Sequence, residues 1–344
     1  MKVQNAETYI KRNGTGIIWK IFRFLLLVGI CYIFLFPVIY MLSVAVRGPD
    51  TVNDPSVVWI PREFSLDSIK TAIDILEYPR AITTTLIIAL VSTAGSVISC
   101  SLAGYGFARF KFKEKNIAFA LVMLTIIVPP QTTIVSSFVN YRNFDCFGIL
   151  KLVHLIFPSV DAGINLINTP WTFILPAFFG AGLRAGLFIY IFRQFFAGMP
   201  KDLEEAAMID GCGALRTFVQ VMLPLAKSAF ITVLLFSFVW HWNDYVQAAM
   251  YFNDNQPISV MLNQMQSLLQ DAKLFNVVTN TPDEIRTYLQ AGCLLTILPP
   301  LVLTVSGAEN CIWTSSNTAA ATVSDDGTVT AVGAGSATVS VTTA

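Results

Sequence analysis

The chain has 344 residues, of which 54% are hydrophobic and only 13% are charged, and its formal net charge at pH 7 is zero. Soluble domains carry about 25% charged residues, so this composition indicates a polytopic membrane protein with the lipid bilayer as its surroundings. Zero net charge argues against a nucleic-acid partner.

Six apolar stretches are long enough to form transmembrane helices. In chain order they cover residues 24–46, 81–108, 116–141, 173–196, 228–250 and 287–305. Each provides roughly 20 residues of helix, which is enough to cross about 30 Å of hydrocarbon. Arg184 and Arg193 interrupt the fourth stretch. Six spans place both ends of the bundle on the same side of the membrane.

Lysine and arginine residues predict which side is cytoplasmic. Residues 2–23 carry five of them and residues 109–115 carry four, and Lys201, Arg216 and Lys227 follow the fourth stretch. Residues 47–70 mix both signs of charge. By the positive-inside rule, the N-terminus and the loop 199–224 are expected in the cytoplasm.

Residues 199–224 form a polar, amphipathic pattern of helix, turn and helix. Gly211 and Gly213 are expected to end the first helix and to permit positive φ, and Pro224 is expected to end the second. Two apolar faces are predicted, one with Leu203, Ala206 and Ala207, the other with Leu215, Phe218, Val219 and Met222. The pattern fits a docking element for a soluble partner, and it also fits an interfacial helix on the bilayer surface.

The spacing within this loop resembles the signature loop of ABC importer permeases. The pattern is EAA, three residues, glycine, nine residues, a hydrophobic residue, one residue and Leu-Pro. It falls on Glu205-Ala206-Ala207, Gly211, Val221 and Leu223-Pro224. In that family the loop forms a coupling helix that docks into a cleft of the ATP-hydrolysing subunit. The resemblance assigns coupling to Glu204, Glu205, Ala206, Ala207, Asp210, Gly211, Leu223 and Pro224.

Five further stretches resemble the carbohydrate-uptake branch of the same family. They cover residues 60–67, 102–110, 128–131, 186–196 and 242–244. The resemblance extends over about residues 15–303. It implies an all-α, six-helix ABC importer transmembrane domain that moves a sugar or oligosaccharide by alternating access.

The resemblance also implies the rest of the assembly. The expected partners are ABC ATPase subunits, a second homologous permease subunit and an extracytoplasmic solute-binding protein. The expected location is the bacterial inner membrane, with several spans. This chain is expected to bind no cofactor, because ATP and magnesium would be used by the partner ATPase subunits.

Few residues of the chain suggest chemistry of its own. No G-x-x-x-x-G-K-[ST] pattern occurs, so we expect no ATP hydrolysis, no enzymatic activity and no catalytic residues. The scattered cysteines and the two histidines do not have metal-ligand spacing, so no metal site is predicted.

Polar residues within the apolar stretches are costly and often functional. Trp242, Asn243 and Asp244 lie in the fifth stretch. These three residues either contact a sugar in the substrate pathway or pack one helix against another. Arg184 either faces a cavity or extends to the outer interface.

The composition changes after residue 305. Residues 321–323, 328–332 and 336–341 have the alternation of short β-strands, with turns at 326–327 and 333–335. The segment resembles the second half of a bacterial Ig-like domain, group 2. Such domains usually belong to cell-surface proteins, whereas the predicted topology places this one in the cytoplasm.

We therefore divide the chain into an N-terminal cytoplasmic segment (1–20), the permease domain (21–305) and a short β-rich Ig-like fragment (306–344). A chimeric junction between residues 303 and 311 is favoured over a working accessory module, because so short a β segment rarely folds alone. The last span and the tail depart from the family, so an inactive permease chimera is a rival hypothesis.

Two more rival hypotheses stay open. A membrane-anchored surface protein that displays the Ig-like module requires an external C-terminus, which a terminal reporter reached from outside would support. An ion-driven secondary transporter predicts acidic residues within the spans and inverted repeats. Asp244 is the one acidic candidate in the apolar stretches, and no repeat is found.

Overall fold

The computed structural model describes residues 2–48, 61, 63–146, 148–157, 163–274 and 282–308, together with four strands in the C-terminal segment. In chain order the helices begin with α1 (Lys2–Ala45), α2 (Asp67–Ile75), α3 (Tyr78–Arg109), α4 (Lys115–Ile127), α5 (Pro130–Arg142), α6 (Ile149–Ile156), α7 (Trp171–Phe178) and α8 (Ala185–Gly198). They continue with α9 (Asp202–Ile209), α10 (Ala214–Thr217), a π-helical turn (Phe218–Met222), α11 (Leu223–Leu225), α12 (Lys227–Asn243), α13 (Val246–Tyr251), α14 (Ile258–Leu274) and α15 (Pro282–Ala308).

Two described helices are long and apolar enough to cross a membrane alone. They are the Trp19–Ala45 part of α1 and the whole of α3, which has 32 residues. The number rises to four if α4 with α5, and Ala214–Leu225 with α12, are each counted as one bent span. The first and second predicted spans are thus single helices, and α1 extends back to Lys2 through the predicted N-terminal segment.

The third, fourth and fifth predicted spans are broken, and the prediction of one continuous helix for each was wrong. The axes of α4 and α5 differ by 101°, because Pro130 has no backbone N–H and blocks continuation of α4. The fourth stretch is interrupted between α7 and α8, where Gly180 has a φ of 66° and Arg184 a φ of 59°. The fifth stretch is interrupted after Asn243, where α12 ends. The Asp244 side chain there accepts hydrogen bonds from the backbone of Gln247 and Ala248, and such side-chain bonds compete with continuation of a helix.

The contacts divide the chain into two compact units. One unit contains residues 1–76 and 265–295, and the other contains residues 77–264 and 296–344. Within the first unit, Arg286 Nη2 donates a 2.7 Å hydrogen bond to the hydroxyl of Tyr40. This bond connects α15 to α1.

The core of the second unit is built where α3 packs against α8 and α12. Its buried side chains include Phe188, Phe192, Phe196 and Val233. Helices in lipid associate through close packing, because lipid tails are as apolar as the side chains. Gly104 permits that packing: a Cβ added there would lie 2.5 Å from Phe192 Cβ and 3.0 Å from Arg193 N.

The C-terminal segment contains two antiparallel strand pairs. The strands are β1 (Cys311–Ser315), β2 (Ala321–Val323), β3 (Val329–Ala331) and β4 (Val339–Thr343), with β1 paired to β4 and β2 paired to β3. β2 coincides with a predicted strand, β3 falls within another, and β4 overlaps the third at 339–341, whereas residues 336–338 of that prediction lie outside the described residues. β1 was not predicted. The two predicted turns lie outside the described residues.

We expect Gly104→Ala to destabilise the protein by about 1–3 kcal/mol, because the added methyl group meets backbone atoms of α8 that cannot move aside. The matched control is Gly106→Ala on the same helix, where an added Cβ would meet only Phe110 at 4.0 Å. Thermal unfolding of the detergent-solubilised protein measures both. Equal unfolding temperatures for the two variants would contradict the assignment of Gly104 as the close contact.

Candidate functional site

The loop between α8 and α12 begins with α9, whose first turn carries three acidic residues. Negative charge at this position stabilises the positive end of a helix. The helix ends at Gly211, which has a φ of 81°. The N–H of Gly211 donates to Met208 O and the N–H of Cys212 donates to Ala207 O, at 3.0 and 2.9 Å. This pair of bonds is a Schellman motif, so Gly211 ends the helix as predicted.

Gly213 differs from its prediction. Its φ is −74°, so it does not use the left-handed conformation. The residue instead precedes α10 with an extended backbone, which most residues adopt. The turn therefore depends on one glycine and not on two.

The first predicted apolar face, Leu203 with Ala206 and Ala207, divides between the two sides of α9. Glu204 and Ala207 are the buried residues of α9, whereas Leu203 and Ala206 are exposed. The helix is rotated in this way because the carboxylate of Glu204 has a partner in the protein interior. Glu205 and Asp210, two further predicted coupling residues, are exposed.

The second predicted face also divides in two. Phe218 and Met222 are buried, whereas Leu215 and Val219 are 69% and 50% exposed. A π-helical turn covers Phe218–Met222 and departs from the 3.6-residue repeat on which the prediction relied. Leu223 is half-buried and Pro224 is exposed at the short helix α11.

The partner of Glu204 is Arg109, the last residue of α3. Arg109 Nε lies 3.2 Å from Glu204 Oε1, and the two side chains are 6% and 11% exposed. Arg109 Nη2 also donates a 2.9 Å hydrogen bond to the carbonyl oxygen of Met199, which follows α8. A cation is favourable at the C-terminal end of a helix. One guanidinium thus connects the ends of α3 and α8 to the buried face of α9.

An aromatic cluster lies beneath the loop. The Tyr105 ring contacts the rings of Phe196 and Phe218, with centroid distances of 5.6 and 5.0 Å. All three residues are at least 96% buried. The cluster joins α3, α8 and the π-helical turn, so the loop packs against the buried ends of α3 and α8.

The outer side of the loop has apolar residues without cover. Ile209 is 87% exposed, Leu215 is 69% exposed and Met208 is 57% exposed. We call these three residues the exposed loop patch. Large apolar side chains exposed in an otherwise polar loop are typical of a surface that binds a partner. The geometry suits binding of a protein surface and contains no arrangement for covalent chemistry.

The three predicted substrate-pathway residues occupy different environments. Trp242 is 1% exposed, and its Nε1 donates a 3.1 Å hydrogen bond to the carbonyl oxygen of Thr296. Asn243 is exposed, and the carbonyl oxygen of Asp244 accepts a 2.8 Å hydrogen bond from the hydroxyl of Ser259. Trp242 therefore packs one helix against another, and a role of the three residues in solute contact stays a prediction.

Sequence reasoning missed Arg109 as a site residue. It was counted only as one of several cytoplasmic positive charges. Glu204 could have indicated it, because a carboxylate that is buried against the protein needs a cationic partner. The sequence did not show which of four nearby basic residues supplies it. Within the described residues, no three His, Cys, Asp or Glu side chains lie close enough to share a metal ion.

We expect Glu204→Ala to destabilise the docking of α9 by about 3 kcal/mol, because it leaves the Arg109 guanidinium buried without its counterion. The neighbouring substitution Glu205→Ala is the control, since Glu205 is exposed. Limited proteolysis of the loop in detergent measures the opening of α9. Equal cleavage rates in the two variants would show that the ion pair does not hold the helix.

Residues 95–307 match the family model described as "binding-protein-dependent transport system inner membrane component". Residues 303–344 match the model of the bacterial Ig-like domain, group 2. The first match includes the loop, the aromatic cluster and the ion pair.

Individual relatives agree with the family match. A probable ABC transporter permease protein of Pyrococcus horikoshii is 29% identical over 66% of this chain and 74% of its own length. The polygalacturonan/rhamnogalacturonan transport system permease protein YtcP of Bacillus subtilis is 27% identical, over 71% and 76%. The galactooligosaccharides transport system permease protein GanQ of the same species is 25% identical, over 84% and 91%.

The fold has a solved counterpart. A chain from the crystal structure of a bacterial ABC transporter that imports the acidic polysaccharide alginate aligns with a TM-score of 0.65, at 19% identity, over 84% of this chain and 95% of its own. The predicted fold, an all-α ABC importer membrane domain, is confirmed. Because the family model matches more than half of the sequence, this chain belongs to the binding-protein-dependent transport system inner membrane components, the permease subunits of ABC importers.

Proposed function

We propose that this permease subunit imports a sugar or oligosaccharide, and that the exposed loop patch with α9 is the surface that receives a separate ATPase subunit. The observation that carries the proposal is the two-sided character of α9. Its inner side is fixed by the buried ion pair between Glu204 and Arg109, and Ile209 next to its end is 87% exposed. A helix that is fixed on one side and apolar on the other transmits the movement of a bound partner.

The path of that movement is short. A displacement of α9 acts on Glu204, then on Arg109, and so on the ends of α3 and α8. α3 is the central helix of its unit, because it packs against α7, α8 and α12. The aromatic cluster under the loop resists deformation, since close-packed interiors transmit strain. Movement at the loop therefore becomes movement of whole helices.

The proposed cycle is alternating access driven by ATP. Two ATPase subunits would bind ATP and magnesium, close together and draw the coupling loops with them. A nucleotide shifts such an equilibrium only through different affinities for the two states, so it must act through a contact that moves. This chain would then hydrolyse no ATP and bind no cofactor.

The remaining partners follow from the same proposal. A second homologous permease subunit would complete the pathway, and an extracytoplasmic solute-binding protein would deliver the solute. The arrangement requires the loop in the cytoplasm, in agreement with the positive charges of residues 2–23 and 109–115. We therefore place the N-terminus in the cytoplasm of a bacterial cell, with the chain in the inner membrane.

A carbohydrate substrate is supported by the similar permeases. Their names specify polygalacturonan or rhamnogalacturonan transport, galactooligosaccharide transport and sn-glycerol-3-phosphate transport. All of these compounds are polyhydroxylated. We infer that the solute of this chain belongs to the same chemical class.

We expect Ile209→Asp to abolish co-purification of the ATPase subunit from native membranes, because docking would bury the new carboxylate in an apolar contact. The control is Ile164→Asp, which places the same change on an exposed isoleucine (53%) in the loop before α7. Quantitative mass spectrometry of the purified complex measures the ratio of ATPase to permease. A normal ratio for Ile209→Asp would contradict docking at the loop.

We also expect Gly211→Pro to abolish solute uptake while membrane insertion stays intact. Proline requires a φ near −65°, whereas Gly211 has a φ of 81°, so the Schellman turn cannot form. Gly213→Ala is the control, because Gly213 already has a φ of −74° and open space around its Cα. Uptake in cells and immunoblotting of membranes give the two readouts. Normal uptake by Gly211→Pro at normal membrane levels would defeat the coupling assignment.

A further inference from the structure

A cavity of about 850 Å³ lies within the second unit, away from the loop. It is formed where two helices are interrupted, since both Val128 beside the α4–α5 bend and residues 180–184 before α8 line it. Backbone that is not helical is tolerated at membrane depth only where it is buried in protein or lines a water-filled cavity. The volume is within the usual range of small-molecule sites.

The cavity lies at one depth on three helices. Ile126 is near the end of α4, Arg184 precedes α8 and Trp240 lies in α12, and each is about 12–15 residues from the end of its helix that is predicted to be cytoplasmic. At 1.5 Å per residue, all three are roughly 20 Å from that end. The site is therefore well inside the hydrocarbon region of a bilayer about 30 Å thick.

Arg184 is the one charged residue among the described residues that line the cavity. Its guanidinium lies over the Trp240 ring at 5.7 Å from the centroid, a contact that orients the cation without neutralising it. Its backbone has a φ of 59°, a conformation that is unfavourable for a residue with a side chain. A cation at membrane depth with no carboxylate beside it in the cavity is suited to bind an anion.

The rest of the lining suits a polyhydroxylated molecule. Tyr141 and Tyr251 line the cavity with their rings 5.2 Å apart, and Gln247, Thr133 and Ser137 supply hydrogen-bonding groups. Aromatic faces pack against the apolar faces of sugar rings, and amide and hydroxyl groups pair with sugar hydroxyls. A guanidinium binds a carboxylate through two parallel hydrogen bonds.

We propose that this cavity is a translocation subsite for an acidic oligosaccharide, and that Arg184 pairs with a uronate carboxylate of the moving sugar. The inference rests on the proposed function, because it names the charge of the carbohydrate that the permease imports. It makes Arg184 a residue that determines substrate specificity. The loop residues that bind the ATPase have no part in it.

The test uses the whole transporter, purified with its ATPase and second permease subunit, in nanodiscs of phosphatidylcholine. The probes are trigalacturonate and its trimethyl ester, which have the same sugar framework and differ in charge. Calorimetry should show that trigalacturonate binds about tenfold more tightly than the ester, as a charge-assisted pair predicts. Arg184→Gln should remove this difference, and Arg184→Lys should retain part of it.

The control is Arg142→Gln, which removes an exposed cation from α5 outside the cavity lining and should leave the preference unchanged. Equal affinity of the wild-type complex for both probes would overturn the proposal, as would a preference that survives in Arg184→Gln. A second series in nanodiscs with phosphatidylglycerol separates the sugar from a lipid headgroup. An unchanged preference there supports the sugar, whereas its loss through competition assigns Arg184 to lipid and overturns the proposal.

Failure of the proposed function has a different result. It would appear as absence of the ATPase from the purified complex, whichever residue occupies position 184. A complex that contains the ATPase and does not distinguish the two probes would refute only the acidic subsite.

Discussion

The buried ion pair between Arg109 and Glu204 is the contact on which the arrangement of the loop depends. Two charges in a protein interior lose their hydration, so each is tolerated only while its counterion stays close. This requirement fixes the rotation of α9 about its axis, because Glu204 must face inward. Once Glu204 faces inward, Ile209, which is five residues later and lies on another side of the helix, is left exposed. The exposure of Ile209 therefore agrees with the orientation that the ion pair gives to α9.

The second unit combines closely packed helices near the loop with interrupted helices farther from it. Around Gly104 and Phe192, α3 and α8 approach closely and form a stiff contact. Farther from the loop, the helices are broken and leave a cavity instead. The proposed function uses both, because stiff helices would transmit a movement of the loop and broken helices would leave space for a solute. The two regions share α8, which begins at the cavity and ends beside the loop.

Sequence patterns predicted the elements that depend on local chemistry. The 3.6-residue and hydropathy patterns located the helices of the permease domain, and the spacing of Glu205, Gly211 and Pro224 located the loop. Gly211 was predicted correctly because positive φ is a property of the single residue. The sequence did not show that Glu204 faces inward on α9, and only half of the second predicted apolar face is buried. The orientation of these faces depends on partners that are distant in sequence, such as Arg109, which is 95 residues before Glu204.

The sequence by itself determined that the permease domain is an α-helical membrane domain and that residues 199–224 resemble the signature loop of ABC importer permeases. Hydropathy and the spacing of a motif are properties of the linear sequence. Only the tertiary structure decided which residues of the loop face inward and which residues share the cavity. Arg184 and Tyr141 are 43 positions apart, and both line the same space. Burial and proximity depend on how the helices pack. A helix adopts the orientation that gives its buried charged group a partner, even where this leaves apolar side chains exposed.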